Sequence, residues 1–162
     1  MQLYRIIRDA VCSRVVEFTN SDLALLERVN RLPAKRIQGL AINTMLEAAL
    51  GNLGLWSISG YIEKIKLLFL QRLIVSHPSS VEKILFINRL CLFISGCRGK
   101  MFGFLPDIIE VLQIYELSQY LEAYIANGEF PSKLVWKNII CTAVGKLEQS
   151  NWRTKKAEKK MV

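Results

Sequence analysis

The segment "ISGYIEKIKLLFLQRLIVS", residues 58–76, constrains the fold more than any other part of the chain. Ile58, Ile62, Ile65, Phe69 and Leu73 recur at steps of three or four and form one apolar stripe. Leu67, Leu70 and Ile74 cover the opposite side. A helix that is apolar on several sides must be wrapped by neighbours, so it belongs in the middle of a domain. A buried strand is excluded by length, since strands run to about 10 residues at most.

The rest of the chain also reads as helix, at about seven helices in all, because no stretch alternates with period two for long. A first helix is expected over residues 2–17. A second starts at a cap on Asn20 or Ser21 and carries Leu23, Leu26, Val29 and Leu32; Pro33 predicts a kink, or a restart running to Gly39. A short helix over 43–50 is expected to stop at Gly51. Ser57 or Ser59 caps the central helix. Pro78 and two serines open the next one, with Ile84, Ile87, Cys91 and Ile94 as its inward stripe and Gly96 as its end.

A basic loop, "CRGKMFG", follows. Pro106 then marks a helix start, where its missing N–H removes no hydrogen bond. "ELSQYLEAYIANGEF" is a short helix stopped by Asn127 and Gly128. The last helix places Trp136, Ile140, Ala143 and Leu147 on one face, with Lys133 and Lys137 off it. The expectation is an all-α array around the central helix, forming one domain over residues 1–150 with a basic tail over 151–162.

Charge bears on partners. Lys and Arg number 22 against 14 Asp and Glu, a net +8, and +4 of that lies in "NWRTKKAEKKMV". Such a tail favours polyanions; the plainer reading is a solubilising helix end. Three basic groups stand out. Arg28, Arg31 and Lys35 lie at helical steps with Arg36 adjacent, Lys133 and Lys137 lie one turn apart, and Arg153, Lys155 and Lys156 follow Trp152. Cations so placed could neutralise phosphates, and an indole could stack on a base. Solvent-facing charge is the competing explanation for each group. Trp56 and Trp136 read as core anchors.

Catalytic signals are missing. The single histidine, His77, precedes a proline at a helix junction, which suits a turn. Cys12, Cys91, Cys97 and Cys141 include no Cys-x-x-Cys pair, so a zinc site is not indicated; free thiols in hydrophobic surroundings are expected. No phosphate loop, no serine elbow and no adjacent acidic pair occurs. No cofactor is expected. Charges interrupt every hydrophobic run, so no membrane span is expected, and the N-terminus lacks the apolar centre of a secretion signal. The expected location is intracellular, nuclear or cytoplasmic.

With these segments set out, a resemblance emerges. "LLERVNRLPAKRIQGL", "LGLWSISGYIEKIKLLFLQRL", "KILFINRLCLF", "GFLPDIIEVLQIYEL" and "FPSKLVWKNII" occur in this order across residues 24–152. Together they resemble the C-terminal, thumb and post-thumb region of invertebrate non-LTR (LINE-type) retrotransposon polyproteins, downstream of the reverse transcriptase palm. The resemblance implies a non-catalytic helical module, because that family's catalytic carboxylates belong to the palm and its nuclease is separate. It also implies the partners: the backbone of an RNA–DNA or other duplex, and a palm domain packed on an apolar face. The ending "KKAEKKMV" reads as a stop ahead of the family's usual continuation. The alternative is a protein–protein scaffold with no nucleic-acid role, marked by an exposed hydrophobic groove. Membrane attachment through the tail is a weaker third reading, because residues 150–162 lack a bulky apolar face.

Overall fold

The computed structural model describes residues 19–41, 44, 49–51, 53–96 and 103–158; of residues 20 and 155–158 it describes the main chain alone. Six helices are complete: α1 (Asn20–Ile37), α2 (Ile58–Val75), α3 (Val81–Ile94), α4 (Phe104–Ile114), α5 (Ser118–Asn127) and α6 (Lys133–Glu158). Residues 49–51 are helical as well. Among the described residues there is no strand, and the fold is all-α. The helix expected over 2–17, most of that over 43–50 and most of the basic loop lie outside the described residues.

α2 is the central rod. It packs against α1, α3, α4 and α6, while α4 also packs on α3 and α5. Both of its expected stripes are covered: Leu67 and Leu70 are fully buried, and Ile58, Ile62, Leu73 and Ile74 nearly so. Leu67 and Leu70 join Ile108 and Leu112 of α4 and Trp136, Ile140 and Val144 of α6 in one core. Full burial of one such side chain stabilises the fold by about 1.5–3 kcal/mol. Leu23 and Leu26 of α1 close a smaller cluster over Ile58 and Ile62. α6 runs antiparallel to α2, since Trp136 meets Leu67 whereas Glu148, three turns later, meets Ser57.

Several boundaries differ from the sequence reading for identifiable reasons. α1 is capped by Thr19, not Asn20 or Ser21: Thr19 and Asp22 exchange hydrogen bonds in a capping box, satisfying an orphan amide at each end. α1 runs through Pro33 without restarting. Pro33 lies on the exposed side, so water can reach the Val29 carbonyl that loses its donor. Gly51 is still helical; the left-handed residue that turns the chain is Gly54, at φ +63°. Ser57 is the cap of α2 and Ser80 that of α3. Gly128 ends α5 in the left-handed conformation, as its place after Asn127 predicts. α6 continues past residue 150 through Glu158, so the first two turns of the basic tail are helix.

The inward stripe of α3 is a plain correction. Phe86 and Leu90 are buried and Ile87 packs on the core, whereas Ile84, Cys91 and Ile94 are exposed. α3 is apolar on both faces, and spacing alone does not say which face meets the core.

Candidate functional site

Three features around α2 and α6 are candidates: a polar seat, a tryptophan-lined cleft beside it, and an apolar groove. The seat forms at the start of α2, where the first amides have no partner within the helix and the helix dipole is positive. Ser57 Oγ accepts from Gly60 N–H at 3.1 Å and donates to Glu148 Oε1 at 2.6 Å. Ser57 N–H donates to Glu148 Oε2 at 3.2 Å, and Ile58 N–H to Glu27 Oε1 at 2.6 Å. Carboxylates from α1 and α6 thus hold one helix end. Gly60 permits this approach: a Cβ there would stand 2.9 Å from Glu148 Oε1.

One turn along α2, Glu63 accepts a hydrogen bond from the Tyr115 hydroxyl. Burial pushes the Glu63 carboxyl above its ordinary range, against the pull of the Tyr115 hydrogen bond and of Lys66. Burial, followed by the Glu63 carboxylate, pushes the Tyr115 hydroxyl up as well. Lys66 pairs with Asp107 at 2.7 Å, joining α2 to α4. These groups are directed at one another, and their combined effect is to fasten α2 to α1, α4 and α6.

The cleft, of about 740 Å³, opens beside the seat and is lined by Glu27, Gly51, Trp56, Glu148, Trp152 and Arg153. Lys64 lies over the Trp56 ring at 4.5 Å, a cation–π contact. The cleft offers two indoles and an exposed guanidinium, with two carboxylates behind them.

The groove, of about 700 Å³, runs along α6 and is lined by the apolar Ile114, Leu117, Val135, Ile139, Ala143 and Leu147 and by the polar Glu116, Asn138, Thr142, Lys146 and Ser150. Ile114 is 47% and Val135 51% exposed. Glu116 adopts φ +57°, a left-handed conformation that is uncommon away from glycine, and its turn sets Ile114 and Leu117 beside α6.

Arg28, Arg31, Arg36, Lys133, Lys137 and Arg153 are exposed; Lys35 is buried, at 3% exposure. Nearby, Gln38 Nε2 donates to the carbonyls of both Ala34 and Ala49, tying Ala49 to the C-terminal turns of α1. Arg28 adjoins Glu27 at the level of Ile58, whereas Lys133 and Lys137 flank Trp136 at the level of Leu67. Those levels are nine residues apart on α2, about 14 Å. The side chains of Lys155 and Lys156 lie outside the described residues.

His77 serves its turn: it is exposed, and its Nδ1 accepts from Ser79 N–H at 3.2 Å. Cys91, expected among hydrophobic neighbours, is an exposed free thiol. Among the described residues, no group of three or more His, Cys, Asp or Glu is placed to hold a metal ion. Among them too, no helix is long and apolar enough to cross a membrane.

The groove was missed by the sequence reading. Its signal is Val135 and Ile139, which continue Ala143 and Leu147 of the Trp136 stripe at steps of four and widen the apolar face. Neither a family model, nor a curated protein, nor a solved structure matches this chain.

Proposed function

We propose that this chain is a non-catalytic helical docking module whose partner is a protein surface seated in the α6 groove. One observation carries the reading. Ile114 and Val135 stand half exposed at the mouth of a 700 Å³ apolar groove whose floor is Ile139, Ala143 and Leu147. A groove that follows a helix accepts an amphipathic helix through anchors spaced three and four residues apart. The sequence resemblance supplies a candidate for the partner: the palm domain of a LINE-type reverse transcriptase, which would restore to this module the apolar neighbour it lacks.

The test is direct binding of a purified LINE-type reverse transcriptase palm fragment to this chain. Val135→Asp or Ile114→Asp places a carboxylate on an exposed position of the groove and should weaken binding at least about 10-fold, a loss of about 1.4 kcal/mol. Lack of binding, or indifference to both substitutions, rejects the reading.

A second reading, contact with a nucleic-acid backbone, draws on the cleft. Trp152 and Arg153 offer a stacking ring and a cation at one rim. Against it stand Glu27 and Glu148 in the lining of the same cleft. Fluorescence anisotropy with an RNA–DNA duplex distinguishes the readings, because backbone contact must weaken steeply with salt.

A further inference from the structure

The outer face of α3 carries a self-complementary pattern, and the geometry points to a second copy of this chain as its occupant, docked antiparallel through a two-fold axis. Val81, Leu85 and Leu92 are 68%, 59% and 50% exposed, although each is a large apolar side chain. With exposed Asn88 they recur at steps of four, three and four, which is the seam of a two-helix coiled coil. Ile84 and Cys91, also exposed, border the seam on one side; Glu82 and Arg89 border it on the other.

Charge decides both the occupant and its direction. In an antiparallel pair, Val81 packs on Leu92 of the second copy, and Leu85 on Asn88 of the second copy. That same register sets Glu82 opposite Arg89 of the second copy and Ile84 opposite Cys91 of the second copy. The two-fold axis then repeats every one of these contacts, as an isologous interface requires. A parallel pair in register would set Arg89 against Ile84 of the other copy and leave Glu82 without an opposite charge. Arg89 is exposed on the same side of the seam as Glu82. Its guanidinium lies at the rim where α3 meets α4, with Nη1 3.1 Å from the position a Cβ on Gly103 would take. The fork has five donors and can add a carboxylate to whatever else it holds. Asn88, set against Leu85 of the second copy, weakens the pair.

This surface is separate from the α6 groove, so the two proposals fail independently: Val135→Asp must leave self-association unchanged. Sedimentation equilibrium of the full chain should show a reversible dimer. Glu82→Arg and Arg89→Glu alone should each raise the dimer dissociation constant about 10-fold by opposing like charges, and the double exchange should restore it to within about 3-fold. Circular dichroism confirms that each variant keeps its helices. Ile84→Cys supplies a second readout. Under mild oxidation the introduced thiol should form a disulfide with Cys91 of the second copy, identified by peptide mapping. In the wild type the two Cys91 thiols stand a heptad out of register, about 10 Å along the axis, and should not cross-link to each other. A monomer at all soluble concentrations, a dimer unmoved by either single charge reversal, or a Cys91–Cys91 disulfide in the wild type would overturn the proposal.

Discussion

The indole N–H of Trp136 donates to the main-chain carbonyl of Leu67 at 2.9 Å, with both residues fully buried. This contact fixes α6 against the midpoint of the central rod and sets the level of everything else on α6. Tyr120 and Phe130 pack edge-on to the same indole, at 5.3 and 4.8 Å, so the chain around α5 is tied to it too. Trp136→Phe keeps most of the ring and removes the donor; it should cost about 1–2 kcal/mol. Trp136→Ala also opens a cavity and should cost about 3–5 kcal/mol. Urea denaturation measures both, and a Trp136→Phe variant as stable as the wild type would mean that the hydrogen bond contributes nothing.

The seat of α2 gives a second prediction. Glu148→Ala leaves the Ser57 N–H and hydroxyl without the carboxylate that accepts from both. It should cost about 1–3 kcal/mol by leaving part-buried donors unpaired. Gly60→Ala should be destabilising by a similar amount, about 1–3 kcal/mol, because its methyl would displace the same carboxylate. The double variant should lose less than the sum of the two, since both act through one carboxylate. Additive losses in denaturation would show that the two residues act separately.

Glu63 gives a pH dependence. Its carboxyl sits above the ordinary value of 4.5, chiefly through burial. Its protonated form is therefore favoured by folding. That contribution is full below pH 4.5 and is lost as pH rises through the folded-state value. Glu63→Gln keeps an acceptor for the Tyr115 hydroxyl and removes the ionisation. The stability of the wild type relative to Glu63→Gln should therefore fall on going from about pH 4 to about pH 7. Denaturant titrations at both values test this, and a constant difference would contradict it.

The architecture was more legible than the surface. The central rod, the Trp136 anchor and the Gly128 stop follow from spacing and turn chemistry, because each is a local rule that packing then reinforces. α3 defeated the same method, because either of its two faces could have been the buried one. Lys35 was misplaced for another reason. Its helix phase was read from Arg28 and Arg31, whereas the C-terminal turns of α1 are tied to Ala49 through Gln38, a contact no local pattern records. Thr19 lost to Asn20 and Ser21 in the reading, although Asp22 three residues on completes its box.

The buried lysine separates structural from electrostatic roles. Lys35→Ala should lower thermal stability, by about 1 kcal/mol through lost packing of its stem, and leave the salt dependence of duplex binding unchanged. Arg36→Ala should leave stability within about 0.5 kcal/mol, as surface substitutions do. If the exposed cations bind phosphate, it should also reduce the salt slope by about 0.9. Thermal unfolding and anisotropy read the two effects separately, and a Lys35 variant that changes the slope would place its charge at the surface.

The central claim is that the α6 groove, and not the basic residues, is where this chain meets its partner. The most direct measurement is a pair of amide NMR titrations of the labelled chain, one with the reverse transcriptase palm fragment and one with an RNA–DNA duplex. The account predicts saturable shifts at Ile114, Val135, Ile139 and Ala143 with the palm fragment, abolished by Val135→Asp. Shifts produced by the duplex alone, centred on Arg28, Arg36 and Arg153 with the groove silent throughout, would contradict it.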